Sequence, residues 1–367
     1  MAVKPLVVIL RIYIGIYVVY TVQYIRRLQK VGTNTLTVSL PHEWVKKMKL
    51  KPGDNVTVAE SPDGTLRITV ENKPVSLSLA CSFDVENFQD PDLLSRLVIA
   101  AYLQGFEGIK IVGGDGVPEN LQERLSDVID ILPGVEIVEQ TYRRILMQSF
   151  IDPHKFPIET LIKRIQIMIT TMLNNLGEAF SSGKHELLDE IGGFEEKIDE
   201  LYFLCIRQIF VRIKMGILGE LHPNSYVQAV GDRLIVLALE EISDSIQMAA
   251  LEAKFLTRYK ISENVVNEIL KLHEVVQVLF GKTMKALFSL DVWLANEVIE
   301  QTRKYFEEHF KLREEIIENM DNLRVAVGVR SIIWNLINIA RNCKIISEVT
   351  INRFVRTPSR LVSVESI

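Results

Sequence analysis

The sequence predicts a multidomain protein: a small β-rich module at the N-terminus, a compact α/β unit in the middle and an all-α C-terminal half. Three observations carry that prediction. The hydrophobic periodicity changes twice along the chain, the changes fall at stretches rich in turn residues, and the helical half repeats itself. With 367 residues the chain is long enough for two or three domains of roughly 100–200 residues each. At 48% hydrophobic and 24% charged residues it is neither disordered nor collagen-like.

Residues 1–21 form an apolar N-terminal extension. Pro5 to Ile25 carries one charge, Arg11, over about the length of a bilayer-spanning helix, and Arg26, Arg27 and Lys30 follow it. Three readings stay open: a mis-assigned start with the functional chain beginning near Val22, a membrane anchor, or an extra structured element. Arg11 near the middle costs an anchor roughly 2.5–3.5 kcal/mol on insertion scales. No Ala-x-Ala pattern marks a cleavable signal.

Residues 22–75 alternate with period two in Leu36–Leu40, Asn55–Val58 and Leu66–Val70, separated by the turn residues Pro52-Gly53-Asp54 and Asp63-Gly64. Pro41 opens a short helix over His42–Met48. A module of about 50 residues buries too little surface to stand alone, so obligate dimerisation is expected. Residues 76–150 read as α/β: a helix over Leu93–Leu103, a strand Ile109–Val112, a helix near Pro118–Ile131 and a strand Val135–Val138. The loop Gly113-Gly114-Asp115-Gly116 sits between strand and helix, where a phosphate could be cradled, but it lacks the G-x-G-x-x-G spacing and reads as a plain turn.

Residues 151–356 carry apolar residues at helical spacing, broken near Ser181-Ser182-Gly183, His222-Pro223-Asn224, Lys260-Ile261-Ser262, Ser289-Leu290-Asp291 and Met320-Asp321-Asn322. Six helices result. Shifting the third by 97 positions lays Leu239 on Leu336, Ile242 on Ile339 and Ile235 on Ile332, so two repeats, about 152–257 and 261–356, are expected. Residues 357–367 form a short unpatterned tail.

The formal charge of −5 excludes a general polyanion binder, so a nucleic-acid site must be local. Over Arg26 to Lys73 nine bases face five acids, and Thr33, Asn34 and Thr35 stand nearby as hydrogen-bonding side chains. That pattern suits phosphate contacts with some base readout, or else a dimerisation module with solubilising lysines. In the helices Glu195 and Asp199 are four apart, as are Glu240 and Asp244, so each pair projects from one helical face. The two pairs either converge on a metal or are solvated surface charge. The six histidines are scattered, and no nucleophile and base stand at usable spacing, so no enzyme is expected. Cys81, Cys205 and Cys343 have no metal-ligand or disulfide-like spacing, which fits a reducing cytoplasm.

The stretch from Arg27 to Trp44, with Lys30, Gly32, Thr33-Asn34-Thr35 and Leu40-Pro41, followed by Leu50-Lys-Pro-Gly-Asp-Asn-Val56 and Asp63-Gly-Thr-Leu-Arg-Ile68, resembles an AbrB/SpoVT-type domain. The resemblance implies a swapped-hairpin β-barrel dimer that contacts DNA, here through Arg26, Arg27, Lys30, Thr33 and Asn34. The helical half resembles the phosphate-uptake regulator family PhoU, two three-helix bundles whose hallmark Glu/Asp-x-x-x-Asp is matched by Glu195 to Asp199 and Glu240 to Asp244. That resemblance implies a divalent or trivalent metal ion, iron, manganese or magnesium, at those four residues. By the same shift Glu240 and Asp244 correspond to Ile337 and Arg341, and by a shift of 107 Glu195 and Asp199 correspond to Thr302 and Phe306. One metal site, in the first repeat, is therefore expected.

The order of the two resemblances is that of archaeal proteins fusing an AbrB-like head to a PhoU-like body. The sequence then reads as a cytoplasmic, homodimeric DNA-binding regulator of phosphate uptake, membrane-tethered if residues 5–25 are an anchor. The alternative is an adaptor that touches a phosphate transporter or sensor kinase and uses its head only to dimerise.

Overall fold

The computed structural model describes residues 23–60, 64–70, 79–88, 90–152, 155–214, 225–318, 322–356 and 358–363, so the extension over 1–21 lies outside the described residues. The chain divides into two compact units, Met1–Ser76 and Leu77–Ile367.

In the first unit β1 (Gln29–Val31) pairs antiparallel with β2 (Thr35–Thr37), and β3 (Thr57–Glu60) with β4 (Leu66–Thr69). Gly32 opens the first hairpin turn at φ +68, a conformation that costs other residues about 1 kcal/mol or more. Helix α1 (His42–Lys47) lies between the hairpins and starts after Pro41. The hairpins form separate two-stranded sheets, and no described residue between 23 and 70 is buried. Ile25, Leu28, Leu36 and Leu66 stand open to solvent. Two hairpins without a shared core do not close the expected barrel within one chain, and an isolated hairpin is marginal in water.

The second unit begins with a four-stranded sheet of order β5-β6-β8-β7. Its elements are β5 (Ala80–Asp84), α2 (Pro91–Leu103), β6 (Gly108–Val112), α3 (Glu119–Asp130), β7 (Val135–Thr141) and β8 (Arg144–Ser149). Only β5 and β6 run parallel, joined by the α2 crossover. Alternation puts Ile109, Ile111, Ile145 and Met147 on the face covered by Leu94, Val98 and Leu125. The glycine loop is a closed turn. Gly114 N–H donates 3.0 Å to the Glu86 carboxylate, and Tyr142 donates 2.7 Å to the Asp115 carbonyl while its ring lies where a Gly116 side chain would be.

Among the described residues six helices follow: α4 (Ile158–Ser182), α5 (Glu186–Lys214), α6 (Ser225–Leu256), α7 (Glu263–Ser289), α8 (Val292–Glu318) and α9 (Leu323–Phe354). Helix α4 ends on Gly183 at φ +71, Ser262 caps α7, and the Asn322 side chain caps α9. The 97-position shift carries α6 onto α9, as the repeat requires. Helices α4, α6, α9 and α7 form a ring, each touching the next; α5 lies in the α4/α6 groove and α8 in the α7/α9 groove. Among the described residues α9 is long and apolar enough to cross a membrane, but 61% of its apolar window is buried in this ring.

Helices α6 and α9 run antiparallel. A Cβ on Gly231 would stand 3.1 Å from Val349 Cγ1, and one on Gly328 would stand 2.8 Å from Leu256 Cδ2. The two glycines are 97 positions apart, so each repeat supplies the same close approach to the other. Asp232 of α6 and Arg353 of α9 close one end with an ion pair of 2.5 Å, both side chains under a fifth exposed.

The α/β unit and the helices belong to one compact unit. Arg207 of α5 is buried, donates through Nη1 to the Tyr102 and Phe106 carbonyls at 2.5 and 3.0 Å, and lies 4.7 Å over the Tyr102 ring. The C-terminus of α2 is thereby clamped onto α5. Arg207→Ala is expected to cost about 3 kcal/mol, since hydrogen bonds to charged groups contribute about 1.5–3 kcal/mol each. A lowered urea midpoint with unchanged helix content would show it, and an unchanged midpoint would refute the clamp. On the far side of the ring a Cβ on Gly177 would lie 2.6 Å from His273 Cε1, whose Nε2 is bound to the Leu173 carbonyl at 2.8 Å. Gly177→Ala is therefore expected to lower stability by about 1–3 kcal/mol in the same measurement.

Candidate metal centre and nucleic-acid face

Glu195 and Asp199 project one turn apart from α5, and Glu240 and Asp244 one turn apart from α6. Because α5 lies in the α4/α6 groove, the inner edges of both pairs meet over α6. One carboxylate oxygen from each of Glu195, Asp199 and Asp244 falls within 4.8 Å of the others. Glu240 stands beside this triad without joining it.

The three carboxylates are half-buried and share little compensating charge. Burial first, then the Asp199 and Asp244 carboxylates, push Glu195 up to about 7; the Gln247 amide, donating 3.0 Å to its Oε2, pulls back. Burial and then Asp244 push Asp199 up to about 6, and its Oδ1 is buried without a hydrogen-bond partner among the described residues. Glu240 rises to about 7 from burial and then Asp244 and Asp199, with Arg233 opposing. Asp244 is raised by burial and then by Glu241.

Like charges held this close in a half-dry groove, with one oxygen lacking any donor, fit a cation better than they fit water. The donors are hard oxygens, the chemistry of manganese, iron or magnesium, and a three-carboxylate site leaves positions open for water or a phosphate oxygen. Sequence reasoning missed Gln247. It stands seven positions after Glu240 on the same helical face, a signal that was there to be read.

Among its described residues the second repeat carries no such group. Thr302 is fully buried, Phe306 packs against the core, Ile337 is buried, and Arg341 stacks 5.8 Å from the Trp334 ring. At the head, Arg26 and Arg27 lie on the extended lead-in to β1, Lys30 on β1, and Thr33 and Asn34 in the hairpin turn. All five are exposed on one continuous segment, and Arg26 lies 5.6 Å over the Tyr24 ring.

Two family models match the chain. One, described as antidote-toxin recognition MazE, bacterial antitoxin, matches residues 29–76; the other, the PhoU domain, matches residues 269–350. The chain thus carries a MazE/AbrB-like antitoxin-type domain ahead of a PhoU domain. The PhoU match falls on the second repeat, not on the one with the carboxylates. Among solved structures, PhoU from Pseudomonas aeruginosa is similar at 15% identity and a TM-score of 0.48, over 54% of this chain and 95% of that one. The phosphate transport system regulatory protein PhoU from Streptococcus pneumoniae is similar at 13% identity and 0.46, over 54% and 93%. No curated protein sequence matches the chain.

Raised carboxylates destabilise the metal-free fold as they ionise. The native state holds their protons above the unfolded values near 4, so stability falls as pH rises from about 4 to about 7 and is level beyond. Added Mn²⁺ at pH 7.5 is expected to raise the melting temperature, with about 2.7 kcal/mol gained at a hundredfold excess over Kd. Asp199→Asn is expected to raise the metal-free melting temperature at pH 7.5 and to abolish the Mn²⁺ effect. A metal shift that survives this substitution would place the ion elsewhere.

Proposed function

We propose that the protein is a cytoplasmic, homodimeric DNA-binding regulator of phosphate uptake, with the head on DNA and the first helical repeat sensing a metal ion or a metal-held phosphate. The observation that carries this reading is the head. None of its described residues is buried, and its cations and hydrogen-bonding side chains stand exposed together from Arg26 to Asn34. A second copy supplies the missing apolar partner for Ile25, Leu28, Leu36 and Leu66, and doubles the cationic segment on one surface. The MazE-type match to residues 29–76 supports that role for the head, and the PhoU match supports phosphate uptake as the process regulated.

The carboxylate site lies on α5, the helix that Arg207 clamps to the α/β unit. Binding of a cation draws α5 and α6 together at Glu195, Asp199 and Asp244, and the clamp passes any shift of α5 to the α/β unit. Coupling of this kind is reciprocal: a metal that strengthens DNA binding is itself bound more tightly on DNA.

The test is fluorescence anisotropy of the full chain with its own upstream DNA and a scrambled duplex across a salt series. Log affinity is expected to fall linearly with log salt, and Arg27→Ala or Lys30→Ala to reduce the slope by about 0.9 each while weakening binding to both duplexes. Asp199→Asn, far from the DNA segment in sequence, is expected to remove any effect of Mn²⁺ on that affinity. Weak binding, equal on both duplexes and untouched by the head substitutions, would leave the protein an adaptor that acts on a transporter or kinase by contact.

A further inference from the structure

We infer that the outer face of the α6/α9 pair is an interface between two copies of this chain, with α6 of each copy laid over α9 of the other. The inference goes beyond the regulator reading and needs neither DNA nor metal.

The face is defined by the packing. Helix α6 has α4 beneath it, α5 on one flank and α9 on the other; α9 has α7 beneath it, α8 on one flank and α6 on the other. Among the described residues the one side left free is the same for both helices. On α6 the exposed stripe runs Val227, Val230, Leu234, Leu237, Glu241, Met248 and Leu251, at alternating steps of three and four with one gap filled by the half-buried Asp244. That is a coiled-coil seam rather than a solvated face, and every other side of the helix is already occupied. On α9 the stripe runs Leu323, Val327, Arg330, Trp334, Arg341 and Glu348, with Trp334 46% exposed.

Charge decides which surface covers it. The acids of the face are concentrated on α6, where Glu241 is exposed and Asp244 half-buried with Glu195 and Glu240 beside them; α9 is net basic, with Arg324, Arg330 and Arg341 exposed and its one acid on the stripe, Glu348, paired with Lys344. No salt bridge joins these arginines to an acid among the described residues: Arg324 reaches the Tyr259 hydroxyl, and Arg341 the Trp334 ring. A face with one acidic and one basic helix is complementary to itself under a two-fold rotation. The antiparallel register set by Gly231 against Val349 and Leu256 against Gly328 then fixes the levels, since both helices rise 1.5 Å per residue. Glu241 lies level with Arg341, and Met248 with Trp334. A two-fold axis in the plane of the face and along the helices places α6 of one copy over α9 of the other. Arg341 then meets Glu241 of the second copy, and Trp334 meets Met248. An axis across the helices at the level of Glu241 would set acid on acid, which the same charges disfavour. The stripe from Val227 to Leu251 is about 36 Å long, and two packed helices are about 20 Å wide, so the face offers about 700 Å² per copy, close to the roughly 800 Å² of a standard interface.

The experiment mixes two full-length chains, both carrying Cys81→Ser, one with Met248→Cys and the other with Trp334→Cys, under copper-phenanthroline oxidation. The expected product is a disulfide between the two introduced thiols, one from each chain, absent when either chain is oxidised alone and identified by its linked peptides. Arg341→Glu in both chains should cut the yield about tenfold, and adding Glu241→Arg should restore it. The restored pair separates a lost interface from a folding defect. Linkage of the Met248→Cys chain to a second copy of itself would overturn the arrangement. So would the absence of any linked product, whether the face then stays open or is held by a different protein. The regulator reading survives either failure, because its own test is read on DNA.

Discussion

The antiparallel contact between α6 and α9 is the constraint on which the helical unit depends. Two glycines, Gly231 and Gly328, let the helices approach closely enough that Val349 and Leu256 fill the space of the missing side chains. Each glycine loses roughly 0.5–1 kcal/mol of helix propensity relative to alanine, and the close packing of two long apolar helices offsets it. With that contact in place, α4 and α7 complete the ring beneath, and α5 and α8 are left only the two outer grooves. The candidate carboxylate site of this unit lies where one of those grooves runs.

The carboxylates show why. On a lone α5 or α6 they would be ordinary surface acids, freely hydrated and ionised. Seated in the groove, α5 turns Glu195 and Asp199 toward Asp244, and the apolar residues that hold it there also take water from the acids. The repulsion is part of the site: without a cation, the groove must keep protons on groups that shed them in water. The same helix carries Arg207 two turns further on, so the site and the anchor of the α/β unit share one rigid rod.

The two repeats have kept a common packing and parted in chemistry. The positions that face the α5/α6 groove as acids are taken in the second repeat by Thr302, Phe306, Ile337 and Arg341. Three of these four side chains add apolar or buried volume, and the fourth turns a negative position on the outer face positive. A duplicated bundle with identical faces would repel itself across a two-fold axis. The loss of one acidic site is what makes the face self-complementary.

Much of this was legible in the residues themselves. Period-two runs located β2, β3 and β4, the alternation of helix and strand placed β6 and β7, helical spacing and turn clusters bounded the six helices, and four-residue spacing paired the carboxylates, because these signals are local and repeat within a few residues. Strands β1, β5 and β8 are fixed by their partners rather than by a pattern of their own: β1 pairs with β2 across the Gly32 turn, and β5 and β8 flank β6. Nor could spacing reveal that Glu240 stands aside while Gln247 holds Glu195, or that Arg207 reaches carbonyls about a hundred residues earlier. The sequence by itself determined the element types, the repeat and which residues were available as ligands. Tertiary structure alone decided which of them meet, since convergence depends on the rotation of α5 in its groove and on the register of α6 against α9, quantities set by packing between segments and written in no single one.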